Sequence, residues 1–442
     1  MKTQKILWKT FLLANWLIIG LFWYQGSGNL FKTGDSGGIF LALGRLMGLS
    51  AVYMILQQFF FMGRLPWLEK VFGLDNLVKL HHKNGKWGLV FLLLHPIAII
   101  EGYRLGSGLS FFSQFGSFLT NYDDILNAFI GLSLFVIVVG LSFTIVRSRL
   151  RYETWYGVHL LAYFAVFFSL GHQIKLGHDL LASKIFYSYW IALYSTVFGI
   201  HFIFRFARPI WLFKKHEFRV SRIEREAPHT VSVYISGKNM DSFKIKSGQF
   251  MIFRFLTKKF WWQAHPFSLS MVPNGKEIRI TVKELGDFTR HVKDLKIGTK
   301  IIIDGPYGVF TNLFAVQNKV LMIAGGIGIT PIRSLMEEML EKGKDVTLLY
   351  GNRTENDIVF KKELEELSKK YGARITHIIS HDESHAGEKG TIDKEKISRL
   401  VPDIASREVF LCGPALMMES VIKHLKELGT ESQLIHYEKF VL

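Results

Sequence analysis

Cysteine is nearly absent from this chain, since Cys412 is the single one among 442 residues. An intrachain disulfide, a cysteine-ligated metal cluster and a Cys-x-x-Cys redox pair are therefore all excluded. Acidic residues are also scarce: 37 Asp and Glu stand against 54 Lys and Arg, which gives a formal net charge of +17. No nucleic-acid recognition motif accompanies this charge, and much of it flanks apolar segments, so we predict no nucleic-acid partner.

Charged residues are sparse over long stretches of the first half. Hydrophobic residues make up 49% of the sequence, and the apolar excess ends near Trp211; from about Lys214 the composition is that of a soluble protein. A membrane helix needs about 20 apolar residues. The basic, apolar N-terminus could be a signal peptide, but no small-residue cleavage site follows, so we interpret it as a first span. Six stretches qualify as spans: roughly residues 7–24, 39–62, 84–103, 125–146, 156–174 and 186–208.

The segments between the spans differ in their basic residues. The N-terminus, the second and fourth connections and the tail after the sixth span are rich in Lys and Arg. The other connections are poorer in them and contain acids such as Asp35, Asp124 and Asp179. Because positively charged loops stay in the cytoplasm, we predict a multi-pass protein of the cell membrane with both termini and the soluble half in the cytoplasm.

Two of the predicted spans have a histidine towards each end. The third contains His81, His82 and His95, and the fifth contains His159 and His172. A single histidine in a span could simply hydrogen-bond a neighbouring helix. Two such spans fit the axial ligation of haem iron better, because a low-spin electron carrier takes two ligands. We therefore predict two haems, one towards each side of the membrane.

Spacing selects among these histidines. On an ideal helix, 14 residues from His81 to His95 advance roughly 21 Å and return to within about 40° of the same face. A spacing of 13, from His82 to His95 or from His159 to His172, does not. We therefore discount His82, and the fifth span needs an irregularity such as a π-bulge, or haems that are offset sideways. The predicted pairs are His81 with His159 near the cytoplasm and His95 with His172 near the outside.

Arg45 lies inside the second predicted span, where a charge needs a counter-ion. If haems are present, a propionate of the outer haem is the natural partner. The alternative is that the guanidinium reaches the lipid–water interface along its own helix.

The soluble half contains two different patterns. Residues 217–311 form short alternating β patterns separated by turns, which predicts a small antiparallel barrel. Residues 318–442 alternate apolar strands with helices, which predicts a parallel sheet with helices on both faces. The predicted architecture is thus a six-helix transmembrane bundle over residues 1–213, a β-barrel domain over 214–313 and an α/β, Rossmann-like domain over 314–442.

A glycine-rich turn follows the first strand of the α/β domain and opens a helix. Glycines let phosphate groups approach the backbone, and a helix N-terminus supplies positive dipole. The turn is not a strict GxGxxG, so a purely structural turn is the alternative. The predicted nucleotide-binding residues in it are Gly325, Gly326, Gly328, Thr330 and Pro331.

Both halves resemble known domains. The four-histidine pattern, with its spacings of 14 and 13, resembles the ferric-reductase-like transmembrane domain shared by NADPH oxidases and iron reductases. The soluble half resembles a ferredoxin–NADP reductase module, so the whole is similar to bacterial NADPH oxidases. One departure is Ala165, which stands where some family members have a bulky aromatic residue.

The resemblance implies an FAD site in the barrel. His265-Pro266-Phe267-Ser268 matches the HPF[ST] flavin motif. By resemblance Phe267 packs by the isoalloxazine, Ser268 reaches N5, and His265 lies towards the pyrophosphate. The other implied FAD residues are Gly286 and Thr289 of a GDxT turn that holds the pyrophosphate through backbone N–H groups, Lys283 as a helper, and Phe440 as a C-terminal aromatic over the flavin.

The resemblance also implies where NADPH binds. Cys412-Gly413-Pro414, with Met417, matches the CGPxxM element beside the nicotinamide. Arg353 follows the second strand of the α/β domain, where a 2′-phosphate would be read. This favours NADPH, with NADH as the alternative.

The implied function is an NADPH oxidase that passes electrons from NADPH through FAD and two haems b to O2, producing superoxide outside. No obligatory protein partner is expected; the partners are the lipid bilayer and a small-molecule acceptor. The alternatives are a ferric-chelate reductase, a subunit that feeds electrons to an extracytoplasmic redox protein, and a transporter with a regulatory nucleotide domain.

Overall fold

The structure is a computed structural model that describes residues 2–143, 149–150, 152–382 and 384–438. It divides into two compact units, Met1–Arg205 and Phe206–Leu442. Each unit has its own buried core.

Helices make up the described part of the first unit. Side-chain caps begin several of them: Asp35 accepts from the amides of Gly37 and Gly38 at the start of α3, and Ser183 accepts from Phe186 at the start of α11. The helices are α1 (Lys2–Ser27), α2 (Asn29–Lys32), α3 (Ser36–Phe61), α4 (Pro66–Phe72), α5 (Leu74–Ser107), α6 (Phe111–Asn121), α7 (Ile125–Gly140), α8 (Tyr152–His159), α9 (Leu161–Leu176), α10 (His178–Leu181) and α11 (Lys184–Phe202).

Five of the predicted spans coincide with helical stretches that are long and apolar enough to cross a membrane. The predicted fourth span differs, because α7 ends at Gly140 and forms with α6 a pair bent by 114°. The described residues therefore give five spanning helices, or six if the bent pair is one span. The last three residues of the fourth predicted span, 144–146, lie outside the described residues.

The fifth predicted span contains the irregularity that its histidine spacing requires, but not as a π-bulge. It breaks at Leu160, between α8 and α9. A π-helical turn occurs instead after α11, at Ile203–Ala207, within a helical stretch that continues to His216.

Glycines allow the helices of this unit to approach closely. A Cβ atom at Gly44 of α3 would lie 2.9 Å from Ile99 Cδ1 of α5, and one at Gly102 of α5 would lie 2.7 Å from Leu41 Cγ. Small residues at such contacts are typical of helix packing in membranes, where backbone proximity replaces the hydrophobic driving force.

The second unit begins with α12 (Arg208–His216) and a small antiparallel barrel. One sheet has the order β1-β2-β5 and the other β4-β3-β6. Bridges between Arg219 and Lys300 and between Leu269 and Ile280 join the sheets, and a shared apolar core fills the space between them. The strands are β1 (Arg219–Ala227), β2 (Thr230–Ser236), β3 (Phe250–Phe255), β4 (His265–Ser268), β5 (Glu277–Lys283) and β6 (Ile301–Tyr307), with a short helix α13 (Asp287–Arg290) after β5.

A six-stranded parallel sheet follows, with the order β10-β9-β8-β7-β11-β12. Helices cover both faces of this sheet, and on each face an apolar cluster fills the space between the helices and the strands. The predicted barrel and α/β domain are therefore confirmed. The strands are β7 (Lys319–Gly325), β8 (Asp345–Asn352), β9 (Arg374–Ile379), β10 (Glu388–Lys389), β11 (Glu408–Cys412) and β12 (Ile435–Tyr437), and the helices are α14 (Ile329–Glu341), α15 (Lys361–Tyr371), α16 (Lys394–Leu400) and α17 (Ala415–Glu427).

Candidate functional site

The four histidines predicted to bind haem meet in two pairs. The ring centroids of His81 and His159 are 6.0 Å apart, and those of His95 and His172 are 6.5 Å apart. Two imidazoles that bind one metal ion from opposite sides, at about 2 Å each, place their centroids roughly 6 Å apart. Both pairs therefore have the separation that a single haem iron requires.

His82 is as close to His81 as His159 is, with ring centroids 6.0 Å apart. Neighbouring residues in one helix point about 100° apart, so these two cannot ligate one iron from opposite sides. This agrees with the choice of His81 over His82 that the spacing favours.

In the pair predicted to be the outer one, His95 with His172, a backbone carbonyl orients the His95 imidazole. His95 Nδ1 donates to the carbonyl oxygen of Gly44 at 2.8 Å, so the proton is on Nδ1 and the lone pair is on Nε2. A Cβ atom at Gly48 would lie 2.7 Å from His95 Nδ1, so glycine is what admits the ring. Orientation of a ligating imidazole through its second nitrogen is typical of metal sites. Neither glycine was predicted as a site residue, although Gly44 and Gly48 form a GxxxG pattern in an apolar helix.

The inner pair is oriented by side chains. Ser142 Oγ donates to the carbonyl of Val138 at 2.6 Å, so it accepts from His159 Nδ1 at 3.4 Å and from the indole N–H of Trp155 at 3.1 Å. His159 is also the last residue of α8, directly before the break at Leu160. Its Nε2 therefore carries the lone pair, as in His95. Ser142 and Trp155 carried no sequence signal.

Arg45 has a protein partner in addition to the predicted propionate. Its Nη1 donates to Ser27 Oγ at 3.1 Å, and Ser27 Oγ donates to Asp179 Oδ1 at 2.6 Å. The Asp179 side chain is buried, so it provides a negative charge near Arg45 through the Ser27 hydroxyl. Contact with a haem propionate stays a prediction. From the sequence, Asp179 was identified only as an acid in a connection that is poor in basic residues.

The flavin motif forms strand β4, which pairs with β3 so that Phe267 lies opposite Met251. The His265 ring stacks on Phe288, with centroids 3.9 Å apart and planes at 7°. Since Phe288 belongs to the GDFT turn, the structure brings the two predicted FAD elements together.

The GDFT turn is shaped by Thr289. Its Oγ1 accepts from the amides of Leu285 and Gly286, both at 2.8 Å, so this hydroxyl folds the turn that is predicted to hold the pyrophosphate. Lys283 Nζ lies 3.8 Å from Asp357 Oδ1. These residues fit an FAD pyrophosphate beside β4. Phe440, the predicted aromatic over the flavin, lies outside the described residues.

The glycine-rich turn packs directly on the CGP element. A Cβ atom at Gly325 would lie 2.5 Å from Met417 Sδ, and one at Gly328 would lie 2.4 Å from the Cys412 carbonyl oxygen. At these two positions glycine is required by packing, and their contact with a nucleotide stays a prediction. Gly326 has a φ of +51° and open space around its Cβ position. The turn leads into α14, whose first turn includes Thr330 and Pro331.

Cys412 ends strand β11, beside Ala324 of β7. Its side chain is fully buried, and burial raises the pKa of this thiol far above its ordinary value. It is therefore a neutral thiol and not a thiolate. Arg353 is exposed directly after β8, whose Gly351 pairs with Gly325. A role for it in reading a 2′-phosphate stays a prediction.

A buried ion-pair network links the barrel to the nucleotide domain. Arg279 of β5 contacts both carboxylate oxygens of Glu363 on α15, at 2.5 and 2.9 Å, and Arg333 of α14 approaches Glu363 at 2.7 Å. Burial opposes ionisation of Glu363, but the hydrogen bonds and positive charges of Arg279 and Arg333 together outweigh it and lower the carboxyl pKa. The network was not visible in the sequence, because its members lie far apart along the chain.

Three parts of the chain match known domain families. Residues 47–170 match the "Ferric reductase like transmembrane component". Residues 210–311 match an "FAD-binding domain", and residues 322–423 match an "Oxidoreductase NAD-binding domain".

Similar proteins share only part of the chain. A flavohemoprotein of Candida albicans is 28% identical over 58% of this chain and 68% of its own length. NADH-cytochrome b5 reductase 1 of Candida glabrata is 36% identical over 33% of this chain and 53% of its own length. The FAD/NAD-binding domain of nitric oxide dioxygenase from Vibrio cholerae has a TM-score of 0.46 at 22% identity, over 51% of this chain and 99% of that one.

The three domain-family matches agree with the observed order of helical unit, barrel and parallel sheet. A ferric-reductase-like transmembrane domain is thus followed by FAD-binding and NAD-binding domains of the ferredoxin–NADP reductase type. The chain is a membrane flavin oxidoreductase with the architecture of the NADPH oxidases and ferric reductases.

Proposed function

We propose that this chain is an NADPH oxidase. It takes electrons from NADPH in the cytoplasm and delivers them through FAD and two b-type haems to O2 across the cell membrane, producing superoxide. The observation that carries the proposal is the pairing of His81 with His159 and of His95 with His172, each at the separation of one iron.

FAD converts hydride transfer into single-electron steps, and haem carries one electron at a time. The residues of the chain bind and orient these groups. Gly44 and Ser142 orient the imidazoles of His95 and His159 so that Nε2 would be the ligating atom. The packing of Gly325 on Met417 brings the nucleotide turn beside the CGP element. No acid–base group is required at the histidine pairs, since only electrons pass there.

His95 and His172 together would hold the iron of the outer haem and would leave no ligand position free for the acceptor. The haem would then supply an electron to O2 without binding it at the iron. Cyanide needs a vacant axial position, and we therefore expect it not to inhibit.

A ferric-chelate reductase is the second candidate, and the match of residues 47–170 to a ferric reductase domain favours it. It uses the same electron path and differs only in the final acceptor. A subunit that feeds an extracytoplasmic redox protein would share the path as well, but would turn over slowly on its own.

An anaerobic difference spectrum of the full chain, followed by reoxidation, tests the proposal. Dithionite should reveal two low-spin haems per chain. Steady turnover with NADPH and O2, without added protein, should give a cyanide-insensitive signal that superoxide dismutase removes. Rapid reduction of ferric citrate without that signal would assign the chain to ferric reduction. A haem-free spectrum would overturn the electron path altogether.

A further inference from the structure

One end of the barrel exposes tryptophan and lysine side chains together. In the loop after β3, Trp261 is 60% and Trp262 is 45% exposed, and in the turn before β6, Ile297 is 74% exposed. We call residues 256–262 and 296–300 the tryptophan patch. Clusters of large exposed apolar side chains indicate a surface that binds another protein, a ligand or a membrane.

The two segments of the tryptophan patch lie side by side. The amide of Leu256 donates to the carbonyl of Lys300 at 2.9 Å. Phe260 is buried against Phe288, with ring centroids 5.3 Å apart. The loop is thus anchored by Phe260 while both indoles next to it remain exposed.

The tryptophan patch is basic as well as apolar. Neither segment contains an acidic residue, and all four of its lysines are exposed: Lys258, Lys259, Lys296 and Lys300. Tryptophan sits by preference at the headgroup level of a bilayer, and lysines near an anionic lipid surface are attracted to it. The composition of the patch is therefore complementary to an anionic membrane.

The patch also contacts β1, the strand that follows the last apolar helical stretch along the chain. That helical stretch runs from Lys184 to His216, and β1 begins shortly afterwards. Val220 of β1 donates to the carbonyl of Thr299, 3.0 Å away, within the patch. Within α12, Trp211 is exposed, and Lys215 Nζ lies 5.0 Å from its ring centroid. The tether and the patch thus have the same interfacial character.

We propose that the tryptophan patch binds the anionic lipid surface of the membrane in which the chain is anchored. The indoles of Trp261 and Trp262 enter the headgroup layer, and the four lysines lie over lipid phosphates. The reductase unit is then held to the bilayer by lipid contact in addition to its covalent tether.

Site-directed fluorescence on the full chain tests this. Cys412 is fully buried, so a single introduced cysteine takes an NBD label selectively. Trp262→Cys reports on the patch, and Asn274→Cys, exposed in the turn between β4 and β5, is the matched control. In nanodiscs with phosphatidylglycerol and a headgroup-level nitroxide lipid, we expect about twofold quenching at position 262 and none at position 274.

The dependence on the lysines and on lipid charge provides a second test of the proposal. Replacing phosphatidylglycerol by phosphatidylcholine should reduce the quenching at position 262, and Lys258→Gln with Lys259→Gln, which leaves Lys296 and Lys300 in place, should weaken this lipid dependence. Each lysine near an anionic surface contributes about fivefold to binding. Haem and FAD content establish that each variant is folded.

Three outcomes overturn the proposal. Equal quenching at positions 262 and 274 would mean that the patch is not specific. A blue-shifted label at position 262 that the nitroxide lipid does not quench would mean that protein covers the patch. Loss of FAD from Trp262→Cys with haem retained would mean that the indole serves the flavin nucleotide.

Discussion

The two histidine pairs are held by different means. In the outer pair, His95 donates to a backbone carbonyl at 2.8 Å and lies against Gly48. In the inner pair, His159 donates to the Ser142 hydroxyl at 3.4 Å and ends a helix at the break before α9. The outer pair therefore depends on how closely α3 and α5 pack, whereas the inner pair depends on a side chain and a local break. Mutations should separate these two kinds of support.

Removal of an inner ligand should have the largest effect. We expect His159→Leu, or His81→Leu, to eliminate the inner haem, because a low-spin iron needs both imidazoles. The haem content of the purified protein should fall from two per chain to about one, and electron transfer from NADPH to the outside should stop. Pyridine haemochrome analysis and the reduced absorbance spectrum measure this.

His82→Leu is the matched control for the inner ligands, because its ring is as close to His81 as that of His159. It should retain both haems. Two haems in His159→Leu, or the loss of one in His82→Leu, would show that the pairing is wrong.

A substitution that fills the space beside His95 should have the next largest effect. In Gly48→Ala, the new Cβ atom would lie 2.7 Å from His95 Nδ1, so the imidazole or helix α3 must move. Overpacking of this kind costs about 1–3 kcal/mol. We expect the outer haem to be depleted and the inner one retained, as measured by haem content and by redox titration of the two components.

Gly20→Ala is the control for helix propensity, because a Cβ atom there meets nothing within 4 Å. It should leave both haems in place. If Gly48→Ala depletes the inner haem instead, the outer pair does not depend on the α3–α5 contact.

Loss of the serine hydroxyl should affect the inner pair more weakly. Ser142→Ala removes the acceptor for His159 Nδ1, and changes in such outer contacts weaken metal binding by about 10–100-fold. Since the hydrogen bond is long, 3.4 Å, we expect an effect near the lower limit, together with a shifted midpoint potential of the inner haem. Ser133→Ala is the control, because Ser133 lies on α7, which precedes Ser142, and its hydroxyl donates to the Phe129 carbonyl. Equal shifts in both variants would remove Ser142 from the site.

The sequence predicted which histidines pair but not what orients them. The spacings of 14 and 13 residues are local quantities, and they demanded an irregularity between His159 and His172. They could not locate it, because Leu160 is not a residue type that breaks helices. The GxxxG pattern of Gly44 and Gly48 was a usable signal, since it predicts a close helix contact beside His95.

Contacts between segments that are distant in the sequence could not be predicted from it. The Arg45–Ser27–Asp179 chain and the Arg279–Glu363 pair each join residues far apart in sequence. A sequence does not reveal that a charged residue is buried unless the partner that neutralises it is already known. The fold of the soluble half was easier to predict, because the local periodicity of its strands and helices indicates the barrel and the parallel sheet.

The smallest effect should come from the ion pair beside the outer histidine. Asp124 contacts Lys175 at 2.6 Å, and its carboxylate packs against Gly171, next to His172. Asp124→Asn leaves a positive charge near the outer haem without its partner. This disfavours the oxidised iron and should raise the outer midpoint potential. The Lys175 side chain is largely exposed to solvent, so the shift should stay well below the about 59 mV that a tenfold change gives for one electron. Asp123→Asn, an exposed neighbour, should shift neither haem, and a larger shift at the inner haem would contradict the assignment of His172 to the outer pair.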